Sequence, residues 1–261
     1  MPIRLGVRLE SLKLPLRAAL METSRLGLAA VQVDALGELS PERMSQTGRR
    51  EFRHLLRSYN LELTALGCPL RRGLDSAENQ QPRIEHICNT MALSFDLGAK
   101  CVIVDGPKVP EAEDARASLL RQALAAICSF GDRTGSVLAL ETGLDSGEKL
   151  AGYLSTFDTG SLGVNYDPAN MLLNGFDPIQ NLTTFQRWLV HVHARDARRA
   201  SANKGAQETA LGAGDIDWMS FVAVLETMEY RGWLVIERET GHDRLADVAS
   251  GASLLRRLIR Q

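Results

Sequence analysis

Four apolar runs in the second half of the chain end in side chains that bind metal ions or move protons. SVLALE ends in Glu141, LGVNYD in Asp167, LVHVH in His193 and WLVIE in Glu237. Carboxylates and a neutral imidazole offer lone pairs to a divalent cation, and the same groups accept and return protons. Crowding three carboxylates would raise their pKa values by mutual repulsion, and a divalent ion removes that penalty. A single strand-end carboxylate is commonly a cap or an ion-pair partner; four chemically apt ends in succession point to a shared site. Three oxygen ligands and one nitrogen suit Mn2+, Mg2+, Co2+ or Zn2+ without choosing among them, and they exclude a thiolate-rich structural zinc site.

The proton chemistry follows from the same set. Glutamates on either side of an ion, Glu141 and Glu237, supply a base and an acid for the two faces of a carbon beside a carbonyl. Deprotonation and reprotonation at that carbon is epimerisation, proton transfer between neighbouring atoms is aldose–ketose isomerisation, and loss of a hydroxyl is dehydration. The LVHVH run leaves one choice open. His191 and His193 share a face of an extended chain while Val190 and Val192 share the other, and a buried imidazole can equally serve a core hydrogen bond.

These groups need elements that bring them together. Eight short apolar runs, at 3–9, 29–33, 61–66, 101–104, 136–141, 162–167, 189–193 and 233–237, alternate with helix-period segments such as 82–97. In that segment Ile84, Ile87, Cys88, Met91 and Phe95 recur at steps of three and four. Ser40-Pro41-Glu42, Ser146-Gly147-Glu148 and Asp217-Trp218 read as helix starts. Eight strand–helix units imply one (β/α)8 TIM barrel over residues 1–261, whose strand ends all open into one mouth. No GxGxxG follows the first strand, which argues against a Rossmann sheet. The longest polar connection, 196–216, leaves the seventh strand on the mouth side, where long loops are commonly functional.

The segments LALE (138–141), GVNYDPANM (163–171), HVHARDARR (191–199), LGAGDIDW (211–218) and WLVIERE (233–239) resemble the xylose isomerase-like sugar phosphate isomerase/epimerase superfamily, and within it the ketose 3-epimerases. The resemblance implies one divalent metal held by Glu141, Asp167, His193 and Glu237, which makes His193 the ligand and leaves His191 a supporting or core role. It implies a substrate-contacting arginine at Arg199, with Arg198 as the rival. Those epimerases bind substrate through a histidine three residues after the ligand aspartate; this chain has Asn170 there, able to hold a hydroxyl but not to act as an acid. Asp196 either orients a neighbouring ligand or simply fixes its turn. Related inosose and dehydroshikimate dehydratases make a lyase the alternative, and a catalytically silent barrel a further one.

The rest of the sequence narrows the classes. Hydrophobic residues make up 44% and charged residues 24% of 261 residues, with a formal net charge of −2. This is ordinary soluble composition with no basic excess for nucleic acid. An endonuclease IV-like three-zinc nuclease is disfavoured further, since only five histidines occur and His54 and His86 fall in helical segments. Cys68, Cys88, Cys101 and Cys128 form no CxxC pair and suit a reducing compartment. No signal-like or membrane-spanning run is present, so a cytoplasmic protein without membrane or nucleic-acid partners is expected, homo-oligomeric or not. His242 reads as an exposed loop residue, Arg198, Arg199 and Lys204 as able to meet a phosphate, and Cys68 and Pro69 as possible pocket lining.

Overall fold

The computed structural model describes residues 3–201 and 205–259, so Lys204 lies outside the described residues. Eight strands run parallel: β1 (Arg4–Arg8), β2 (Ala30–Asp34), β3 (Glu62–Gly67), β4 (Cys101–Asp105), β5 (Val137–Glu141), β6 (Leu162–Tyr166), β7 (Leu189–Ala194) and β10 (Trp233–Ile236). They close into a barrel in the order β1-β10-β7-β6-β5-β4-β3-β2. Every strand lies within one residue of its expected limits. The helices between them are α1 (Leu16–Arg25), α2 (Gln46–Ser58), α3 (Gln80–Leu97), α4 (Ala115–Thr134), α5 (Gly147–Leu154), α6 (Pro168–Leu173), α7 (Trp218–Thr227) and α8 (Arg244–Ile259). The fold is a (β/α)8 TIM barrel.

Residue parity divides the strands between two environments. Leu138 and Leu140, Val164 and Tyr166, Val192 and Ala194, and Leu234 and Ile236 belong to the main core between sheet and helices. The opposite parity faces the barrel axis. Ala65, Cys101, Ile103 and Ala139 form a small separate apolar cluster there, and buried Gln32, Asn165, His191 and His193 share that parity. Cys68 falls on the outward parity and packs in the main core instead of lining the mouth, whereas Pro69 is exposed.

Two of the three expected helix starts hold. Ser146 accepts from the Lys149 N–H at 3.3 Å, and Asp217 from the Met219 and Ser220 N–H groups at 3.1 Å each. Ser40 does not cap α2. Its carbonyl takes the Arg43 and Met44 N–H groups in a turn, and Ser45 caps the helix through Gly48. Ser-Pro-Glu suits the first residues of a β-turn as well as those of a helix, so local chemistry does not separate the two. The 196–216 connection contains an antiparallel pair of strands, β8 (Asp196–Arg198) and β9 (Gln207–Thr209), with Ala197 opposite Glu208. No helix among the described residues is long and apolar enough to cross a membrane.

Candidate active site

β10, β7, β6 and β5 are consecutive around the barrel, and the structure brings their C-terminal acids and histidine together. One potential ligand atom from each of Glu141, Asp167, His193 and Glu237 lies within 4.8 Å of the other three. His193 Nδ1 stands 2.6 Å from Glu237 Oε2, 3.3 Å from Glu141 Oε2 and 3.7 Å from Asp167 Oδ2. Its Nε2 is 2.8 Å from Gln32 Oε1. An Nε2–H donated to the Gln32 carbonyl turns Nδ1 toward the acids, with Asn165 Nδ2 also 3.1 Å from it, and a cation displacing the Nδ1 proton would find its lone pair there. Glu237 Oε2 is buried without a hydrogen-bond partner, close to Nδ1 but not aligned as a hydrogen bond. An orphaned carboxylate oxygen and an imidazole lone pair converging at one point are what a divalent cation needs, so the donor set fits one.

The electrostatics agree with a pocket made for positive charge. Burial opposes protonation of His193, yet Glu237, Asp167 and Glu141 outweigh it and raise its pKa well above the usual imidazole range. Burial also tends to raise Glu237, but His193, Arg8 and Arg195 overcome that and hold it well below the usual carboxylate range. Glu141 is pushed up, chiefly by burial and only partly offset by His193. His191, one pleat deeper, is kept neutral by burial and by the charge of its neighbour.

A ring of further side chains holds the four in place. Asn165 Nδ2 donates to Glu141 Oε2 at 3.0 Å, and its Oδ1 lies 2.8 Å from His191 Nδ1. His191 Nε2 reaches Thr64 Oγ1 at 3.2 Å. Asn170 donates its side-chain amide to Glu141 Oε1 at 2.7 Å and its backbone N–H to Asp167 Oδ1 at 2.8 Å. Arg8 donates to Glu237 Oε1 and, at 2.9 Å, to Asp34 Oδ2. Gly67 leaves room for that aspartate, since a Cβ there would stand 2.2 Å from Asp34 Oδ1. Arg195 donates to Asn170 Oδ1 at 2.9 Å and lies 3.4 Å from Asp167 Oδ2.

The family model for the xylose isomerase-like TIM barrel matches residues 20–258. The chain belongs to that family. A xylose isomerase domain protein from Planctomyces limnophilus superposes with a TM-score of 0.86 at 26% identity, covering 98% of this chain and 96% of that one. A D-tagatose 3-epimerase-like protein shares the fold with a TM-score of 0.80 at 18% identity, over 99% and 97% of the two chains. The inosose dehydratase of Clostridium botulinum (strain Eklund 17B / Type B) is 26% identical over 111 residues, 38% of this chain and 37% of that protein. The match thus spans little more than a third of that relative's length.

Within this xylose isomerase-like barrel, the sequence reading missed the arginines at the site. Arg199 is exposed, its N–H donates to Asp215 at 2.9 Å, and it makes no hydrogen bond or ion pair with the four clustered residues. Arg198 is exposed too and donates to the Ala213 carbonyl. Arg195 and Arg8 do touch the cluster. The signal was parity: Arg195 lies two residues after His193 on the same face, whereas Arg199 follows the turn into β8. Asn170 lies where the resemblance placed it, with its amide committed to Glu141 and Arg195. Asp196 fixes its own loop, and His242 is exposed.

Proposed function

We propose that this protein is a divalent-metal-dependent isomerase or epimerase of a small carbohydrate, with Glu141, Asp167, His193 and Glu237 holding the ion. The observation that carries the reading is the convergence of those four residues on one point, with the two glutamates at its flanks. A divalent ion bound there polarises a carbonyl and stabilises negative charge on its oxygen. Asn165 and Asn170 clamp both oxygens of Glu141, and Arg8 takes one oxygen of Glu237. Each carboxylate is thereby fixed in place to exchange a proton with a substrate carbon. One glutamate takes the proton beside the carbonyl, and the other returns one to the opposite face. No atom is gained or lost, and one stereocentre is inverted.

Deuterium incorporation tests this. A turned-over ketose in D2O takes up deuterium at the carbon beside the carbonyl, and Glu141→Gln or Glu237→Gln stops turnover, because an amide neither accepts nor returns that proton. Metal occupancy is measured beside the rate. Product without solvent deuterium overturns proton exchange and indicates hydride movement between carbons. The partial likeness to an inosose dehydratase supports a second reading, loss of water through the same pair of acids, and the same experiment reports it as a product lighter by one water.

A further inference from the structure

Just past the ends of β7 and β10 a second polar layer borders the four-residue cluster, with Arg195 two residues after His193 and Glu239 two after Glu237. Because β10 lies between β1 and β7, Glu239 has Arg8 on one side and Arg195 on the other. Its Oε1 accepts from Arg8 Nη1 at 3.3 Å and its Oε2 from Arg195 Nη2 at 2.5 Å. Two guanidinium groups sharing one carboxylate is the geometry by which proteins capture carboxylates and phosphates. Here the chain fills that fork itself. The Glu239 side chain is 48% exposed and that of Arg195 9%, so the carboxylate is the more solvent-facing member of the pair.

Apart from the Arg8 Nε–H, which is buried without a hydrogen-bond partner, the guanidinium groups of the two arginines are engaged by other acids. Their remaining ion pairs go to Asp34, Glu237, Asp167, Glu208 and, at 3.9 Å, Glu10. Acids outnumber these cations around the mouth even with a divalent ion added. We propose that Glu239 sets the charge class of the substrate. By occupying the Arg8–Arg195 fork, it reserves the mouth for uncharged polyhydroxy compounds, free ketoses or cyclic polyols, and turns away those bearing a carboxylate or phosphate. The inference rests on the carbohydrate reading above and assigns a charge class to that same site.

Calorimetric titration with inorganic sulfate, a small tetrahedral anion, tests it on metal-loaded wild type, Glu239→Ala and Glu239→Gln. Opening the fork raises sulfate affinity at least about tenfold in Glu239→Ala and by less in Glu239→Gln. Arg8→Gln added to Glu239→Ala removes the gain. Sulfate affinity unchanged in both single variants, or as tight in wild type as in Glu239→Ala, overturns the proposal. Glu239→Gln preserves shape and carries the test should the alanine variant unfold, as a thermal melt reveals. Metal uptake on the same samples separates the two ideas. Wild type that takes up no metal sinks the proposed function, whereas full uptake with unchanged sulfate affinity sinks this inference alone.

Discussion

His191 and His193 sit one pleat apart on β7, yet their surroundings give them different work. His193 is within 4 Å of three carboxylates, while His191 is enclosed by Asn165 and Thr64. His193→Ala therefore abolishes divalent-ion uptake. His191→Ala keeps uptake but weakens it by about 10- to 100-fold, the usual cost of losing a group that orients a ligand. Competition with a chromogenic chelator measures both, and equal, complete loss from the two variants would refute the assignment. Arg195 shows how one residue serves several neighbours: its guanidinium is shared among Asp167, Asn170, Glu208 and Glu239. Lysine in its place keeps the charge but loses the fork, so Arg195→Lys is expected to cut turnover far more than stability, read from kcat beside the thermal midpoint.

The β8–β9 pair and the segment after it are tied to the barrel by two buried acids. Asp196 Oδ2 accepts from the Gly212 N–H at 2.8 Å, the Gly214 N–H at 3.2 Å and Trp218 Nε1 at 3.0 Å. Gly214 has to be glycine or nearly so, because a Cβ would stand 2.0 Å from Asp196 Oδ1. The Ala197 N–H donates to Oδ1 as well, so Asp196→Ala leaves four donors without a partner and costs about 3 kcal/mol of stability, measured by urea unfolding. Glu208 reaches back from β9 to accept from the backbone N–H groups of Glu239 at 2.8 Å and Thr240 at 2.7 Å. Burial works against its charge, but Thr240, the two N–H groups and Arg195 prevail and lower its pKa. A depressed folded-state pKa gives stability that is present above the ordinary carboxylate range and lost as pH falls through the folded value. The destabilisation caused by Glu208→Gln is thus largest at neutral pH and shrinks on acidification; a penalty independent of pH would rule out this linkage.

For the whole molecule, an ion held by the four-residue cluster would couple binding to folding, because its members come from the ends of four strands spread over Glu141 to Glu237 and meet only in the closed barrel. An ion at about 100 times its dissociation constant stabilises the native state by about 2.7 kcal/mol, so the thermal midpoint rises with added Mn2+ or Zn2+ and falls back with chelator. The same separation along the chain explains what could be read in advance. Alternating apolar runs determined eight strands to within a residue, and strand-end chemistry determined the Glu141, Asp167, His193 and Glu237 set, because both signals are local in sequence. Ser40 shows the limit of local reading, since a cap and a turn use the same residues. Which arginine meets the acids was decided by tertiary structure. Arg8, 229 residues from Glu237, becomes its neighbour through β1–β10 pairing, and Arg199 is turned away by the β8–β9 pair that follows Arg195. Strand order around a closed barrel sets those distances, and it is not a property of any short stretch of chain.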